Sequence, residues 1–202
     1  MLNRIKNLFS LLYSYRNIII KAIVFEIYFS LKNLEIKPNI KIHKSNFATD
    51  TIPCIYYFLF EISKFIKQKK IKSVTDLGSG YGRVVNFISE ENKIKTHGIE
   101  LNYTVYKKSL LLKNYKIKLY NYNILKVNFS KFNSECFILV DPLKKTKDKK
   151  KLIKKIKKLK KIKKHLFIVA VNMDKKLFNK NIKILKYIIG SEDKSLYFYE
   201  VI

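Results

Sequence analysis

Asp76-Leu77-Gly78-Ser79-Gly80-Tyr81-Gly82-Arg83 constrains the fold of this chain more than any other stretch. A short apolar run, Ile71 to Thr75, leads into it, and a run of helical character, Val84 to Ser89, leaves it, so the segment reads as strand, turn and helix. Glycines at alternate positions let backbone amides approach a ligand closely, and the helix N-terminus behind them favours negative charge. The G-x-G-x-G spacing is tighter than the G-x-G-x-x-G of dinucleotide folds. Asp76 stands two places before the first glycine, and Glu100 ends the next apolar run, Thr96 to Ile99, where a ribose-binding carboxylate is expected. The plain alternative is a tight turn in an ordinary α/β protein, with Asp76 as a cap.

The rest of the chain alternates. Strand-like and helix-like segments follow one another as 71–76 and 83–91, 96–100 and 102–114, 117–122, 136–140 and 147–164, 166–172 and 174–179. Such alternation predicts an α/β fold with a doubly wound, mostly parallel sheet and helices on both faces. Two last apolar runs, 182–189 and 195–202, joined by Gly190-Ser191-Glu192-Asp193, predict an antiparallel C-terminal hairpin. A helix is expected before all of these, with Pro53 in its first turn and Asp50 or Thr51 as its cap. Residues 53–202 are thus expected to form the main domain, 36–52 a linker and 1–35 an apolar helical extension on which the α/β pattern does not depend.

Arg16, Lys21 and Glu26 recur every five residues in that extension, about 140° apart on a helix, so they share no polar face. Lys21 and Glu26 would fall inside any membrane span, where each costs roughly 2.5–3.5 kcal/mol near the centre. Three readings remain: packing on the domain first, interfacial membrane attachment next, a true span last. No small-residue cleavage site follows, which disfavours a secretory signal and predicts a cytoplasmic protein with, at most, weak contact to an anionic membrane through residues 1–32.

Composition adds little specificity. At 202 residues the chain suffices for one α/β domain with an appendage. Its formal net charge of +28 must attract polyanions in a salt-sensitive way, but Lys, Ile and Asn are used everywhere, a bias that an AT-rich coding sequence produces unaided. Lys144 to Lys164 is the densest run; Ile153, Ile156, Leu159 and Ile162 within it predict a sheet-covering helix with a solvated lysine face, and a polyanion patch is the alternative. Cys54 and Cys136 lie far apart in apolar surroundings and read as buried free thiols, while His43, His97 and His165 lack ligand spacing, so no metal site is expected.

The pattern around Asp76 and Glu100 resembles the first motifs of class I S-adenosylmethionine (SAM)-dependent methyltransferases, whose fold is a Rossmann-like seven-stranded sheet closed by an antiparallel hairpin. The resemblance implies that Asp76 lies near the methionine end of the cofactor, that Gly78, Ser79, Gly80 and Gly82 pack against it, and that Glu100 binds the ribose. Ser73 to Val85, Gly98-Ile99-Glu100-Leu101-Asn102 and Asn123 to Ser130 are similar to the ATP synthase c-subunit lysine methyltransferase family and its bacterial relatives over roughly residues 47–142. Tyr81 stands where that family has Asp, and Asn123 replaces the carboxylate expected at the adenine amino group, a bond that an Asn carbonyl also accepts. Asp141-Pro142-Leu143 follows the fourth strand, where this fold presents its acceptor, but lacks the second proline and aromatic ring of enzymes that methylate bases. Asp141 is therefore either the catalytic or orienting carboxylate or a turn former, with Asp50, Thr51 and Pro142 as candidates for the acceptor loop. The resemblance implies SAM as cofactor and a protein lysine amine as acceptor; RNA or a small molecule is the alternative. A non-catalytic basic binding module, suggested by Tyr81 and Asn123, is the third reading.

Overall fold

The computed structural model describes residues 13–32, 52–112 and 114–202. Seven strands form one sheet: β1 (Ser73–Leu77), β2 (Lys95–Glu100), β3 (Ile117–Asn121), β4 (Cys136–Val140), β5 (Phe167–Val171), β6 (Ile182–Ile189) and β7 (Ser195–Val201). Their spatial order is β3-β2-β1-β4-β5-β7-β6. The first five run parallel, and β7 inserts antiparallel between β5 and β6, so the expected doubly wound sheet and C-terminal hairpin are both present. The chain winds outward from β1 to β3, then returns to β4 on the other side of β1. That reversal opens a crevice beyond the carboxyl ends of β1 and β4, where open α/β sheets bind ligands.

Strands at the sheet centre are apolar on both faces because both faces are covered. In β4, Cys136 and Ile138 join one core with Val74, Phe167 and Val169, beneath the helices α1 (Ile19–Lys32), α2 (Tyr56–Gln68) and α3 (Arg83–Asn92). Phe137 and Leu139 face the other way, into a second core with Leu77, Ile99, Ile168 and Tyr199. There α5 (Thr146–Lys157) covers them with Leu152, Ile153 and Ile156. The edge strand β6 carries Lys183 and Lys186 and a register irregularity between Ile184 and Lys186, features that discourage pairing with another chain.

Several boundaries differ from expectation, each for a physical reason. The segment 102–114 is helical only over α4 (Tyr103–Ser109), because Val105 and Ser109 are its sole buried residues and Leu110 and Leu111 face solvent. The lysine-rich helix tightens into a 3-10 turn at Lys158–Ile162, which buries Leu159 but turns Ile162 outward at 68% exposure. Residues 174–179 form only a 3-10 turn at Lys175–Leu177, capped by the Asp174 side chain at Lys176 N (2.9 Å). The helix expected from Pro53 begins at Tyr56 instead, and its N-cap residue, Ile55, offers no side-chain acceptor. Asp50 and Thr51, the expected caps, and His43 lie outside the described residues.

Residues 13–32 pack on the domain. Tyr15, Ala22 and Phe29 belong to the same core as β1 and β4, and Phe29 stacks on Tyr56 and meets Phe87 edge-on. Tyr15 accepts a hydrogen bond from Asn172 Nδ2 (3.1 Å) just past β5, and its ring fills the space a side chain on Gly190 would need. No described helix is long and apolar enough to cross a membrane.

Candidate functional site

Asp76 is the penultimate residue of β1, paired with Gly98 of β2 on one side and Ile138 of β4 on the other. It is 1% exposed, and its Oδ1 has no hydrogen-bond partner in the protein. Burial, with the Glu100 charge second, raises its pKa from 3.8 to about 8. Three residues on, the Ser79 hydroxyl is also buried without a partner. Each such orphaned group costs about 1–3 kcal/mol. Two of them at the mouth of the crevice mark a place where a ligand would supply the missing bonds.

Between these groups the backbone turns sharply. Gly78, Gly80 and Gly82 have φ of 89°, 54° and 88°, left-handed values that glycine adopts without strain. Gly78 N and Ser79 N donate to Ile99 O at 2.9 and 3.0 Å, and Gly82 N donates to Ser79 O at 2.8 Å. Space is as restrictive as conformation. A Cβ at Gly78 would stand 2.8 Å from Pro142 Cβ. Thus the glycine loop after β1 and the Asp141-Pro142 turn after β4 meet across the crevice.

Glu100 joins the loop to the next strand. Its Oε2 accepts from Gly80 N at 2.9 Å and its Oε1 from Asn102 N at 2.7 Å. Asn121 Nδ2 donates to the carbonyls of Glu100 and Leu101 at 2.8 and 2.9 Å, fixing the end of β2 from β3. A carboxylate has about four acceptor positions, so Glu100 retains capacity for a ligand's hydroxyls. Two supporting residues were assigned no role from the sequence, although one of them opens the motif segment Gly98 to Asn102. One is Asn121; the other is Gly98, whose missing side chain leaves room for Ser79, since a Cβ there would lie 2.9 Å from Ser79 Oγ.

Asn123 lies at the same edge of the sheet, beyond β3. Its Oδ1 already accepts from Leu125 N at 2.9 Å, leaving one lone pair and the amide N–H groups for a ligand. Asp141 has φ of 36°, a strained conformation for a residue with a side chain, at the kind of position where strain accompanies function. Its carboxylate pairs with the Lys149 ammonium of α5. Burial raises its pKa, opposed by Lys149 and more weakly by Lys194. Asp76, the glycines, Ser79, Glu100 and Pro142 therefore converge, Asp141 adjoins them in sequence, and Asn123 stands two strands out.

Cys54, Cys136 and His97 lie buried away from this convergence. Cys54 and Cys136 are buried free thiols, whose pKa burial pushes up. His97 is buried near Ser134 Oγ, its pKa lowered by burial and then by Lys118 and Lys95. Among the described residues no cluster of His, Cys, Asp and Glu is arranged to hold a metal ion.

No protein-family model and no curated protein matches the chain. Solved structures do match its fold. An RNA methyltransferase from Salinibacter ruber, in complex with S-adenosylhomocysteine (SAH), is similar at 14% identity and a TM-score of 0.53, over 74% of this chain and 94% of that one. Magnesium protoporphyrin IX methyltransferase from Synechocystis, with bound SAM, matches at 10% identity and a TM-score of 0.55, over 70% and 77%. The methyltransferase domain of the bacterial CtHen1 matches at 12% identity and a TM-score of 0.54, over 71% and 97%.

Proposed function

The chain has the class I methyltransferase fold, and we propose that it is a SAM-dependent methyltransferase. The observation that carries this reading is the glycine loop drawn onto Glu100, beside the orphaned oxygens of Asp76 and Ser79, at the point where the strand order reverses. The residues fit the cofactor. Glu100 offers acceptors to ribose hydroxyls, Gly78, Gly80 and Gly82 let the backbone come close, Asp76 offers a carboxylate to a cationic amino-acid group, and Asn123 offers its carbonyl to the adenine amine. Bound SAM supplies a methyl group on a sulfonium, already a good leaving group. The chain's contribution is alignment of the acceptor.

For the acceptor we propose a protein lysine amine, on the resemblance of roughly residues 47–142 to the c-subunit lysine methyltransferases. Asp141 supports it, because this carboxylate already holds one lysine ammonium, Lys149, and could orient another as it loses its proton. RNA is the second reading, favoured by the exposed row Lys147, Lys150, Lys151 and Lys154 on α5. For α1 we keep weak contact with an anionic lipid surface: Ile20, Val24, Ile27 and Leu31 form an exposed apolar stripe beside Lys21 and Lys32.

Titration calorimetry of the purified protein with SAM and SAH tests the core of the proposal. Absence of binding to both would reject the enzyme and leave the basic binding module. Lysate incubated with radiolabelled SAM then tells whether label enters protein, RNA or small molecules.

A further inference from the structure

One buried charged cluster lies outside the ligand loop. Glu26, midway along α1, is 2% exposed. Its Oε1 lies 2.7 Å from Nη1 of Arg83, the first residue of α3 and the neighbour of Gly82. That same Nη1 donates to Cys54 O at 3.0 Å, and the guanidinium lies 4.2 Å from the centroid of the Tyr56 ring. Glu26 Oε2 accepts from Tyr56 N at 3.1 Å, which supplies the acceptor that Ile55 lacks as a cap. One carboxylate thus ties together α1, the first turn of α2 and the start of α3.

Stability alone explains this cluster poorly. A cation at a helix N-terminus opposes the macrodipole, and a buried ion pair is commonly no better for stability than apolar residues of the same volume. What such pairs supply is register. Gly82, the left-handed N-cap of α3, has no side chain with which to hold its own geometry. Glu100 holds Gly80 N and Ser79 O holds Gly82 N, and the C-terminal side of the loop is anchored from outside, by Arg83.

We propose that Glu26 is a positioning residue for the glycine loop: through Arg83 it holds the Gly80–Gly82 backbone in the ligand-receiving conformation, so that cofactor affinity depends on the N-terminal helix. This rests on the SAM reading. The planar fork of Arg83 bridges a carboxylate and a carbonyl while stacking on a ring, a combination that lysine cannot make.

The test compares wild type, Glu26→Gln and the double variant Glu26→Gln/Arg83→Met, reading melting temperature, SAH affinity and hydrogen exchange at the Gly80 and Gly82 amides without ligand. Glu26→Gln should melt lower, bind SAH about tenfold more weakly and exchange at both amides at least tenfold faster. The double variant leaves no unpaired charge and should recover most of the melting temperature, while affinity and amide protection stay low. If affinity recovers along with melting temperature, or if Glu26→Gln leaves affinity and exchange unchanged, the positioning role is overturned. If wild type itself fails to bind SAH, the methyltransferase reading falls, and unchanged exchange in Glu26→Gln would then overturn the anchoring of the loop as well.

Discussion

Asp76 holds its proton at neutral pH, with consequences of definite sign. Its pKa in the fold is about 8 against an ordinary 3.8, so between those values the native state binds a proton that the unfolded chain releases. Its contribution to stability is fully present below about pH 4 and is lost as pH rises through 8. Asp76→Asn should therefore gain melting temperature relative to wild type as pH goes from 5 to 9; a constant difference would mean that Asp76 is not held protonated. A cationic ligand beside Asp76 should expel that proton, so calorimetry of SAM at pH 7 in buffers of different ionisation enthalpy should register proton release. Glu100→Ala should weaken SAM binding by about 1.5–3 kcal/mol, since it removes both a ligand acceptor and the partner of Gly80 N; calorimetry with unchanged affinity would return Glu100 to a loop clamp. Asp141→Ala should keep SAM affinity within about twofold and lower turnover roughly 100-fold, once the acceptor is known. Full turnover would leave Asp141 as a turn former. At this scale the sequence was most legible where chemistry forces a residue type, at Asp76, Glu100 and the glycines. It was least legible at Glu26 and Arg83. They lie 57 positions apart, and Glu26 read only as a charge unsuited to a membrane span.

Elements were legible wherever apolar residues run unbroken or recur with a helical period. The centres of β4 and β5 follow from unbroken apolar runs, and α3 from Val84, Val85, Phe87 and Ile88. Ends were not, because they are set by partners distant in sequence. The start of α2 illustrates this: local rules favour Pro53 and a cap at Asp50 or Thr51, yet the acceptor comes from Glu26 on another helix. The same contact makes a prediction about the N-terminal element. Deleting residues 1–32 removes Glu26 from a buried Arg83, a loss of about 3–5 kcal/mol by itself, and uncovers the core that Tyr15 and Phe29 close. For a domain of this size the melting temperature should fall by about 6–20 °C. A truncated protein that melts like the full chain would show that residues 52–202 complete their own core.

Across the whole molecule, charge is the property that topology says least about. If RNA is the acceptor and the four exposed lysines of α5 each neutralise one phosphate, single-strand affinity should fall roughly 50-fold between 50 and 200 mM salt. Labelling of a protein acceptor that is insensitive to the same change would favour the lysine reading. The topology itself has a kinetic consequence. Tyr15 finds its partner Asn172 across 157 positions of chain, and its ring packs on Gly190 further still. At roughly 5–20 residues per second, a ribosome exposes Tyr15 about 10–30 s before the strand end it docks against emerges. During that interval Phe25 and Phe29 can already pack on Tyr57, Tyr56 and Phe87 of α2 and α3, but Tyr15 has neither Asn172 nor Gly190 to close against. Chains stalled before residue 172 should be cut near Tyr15 by a brief protease pulse, whereas released full-length chains should resist cleavage there.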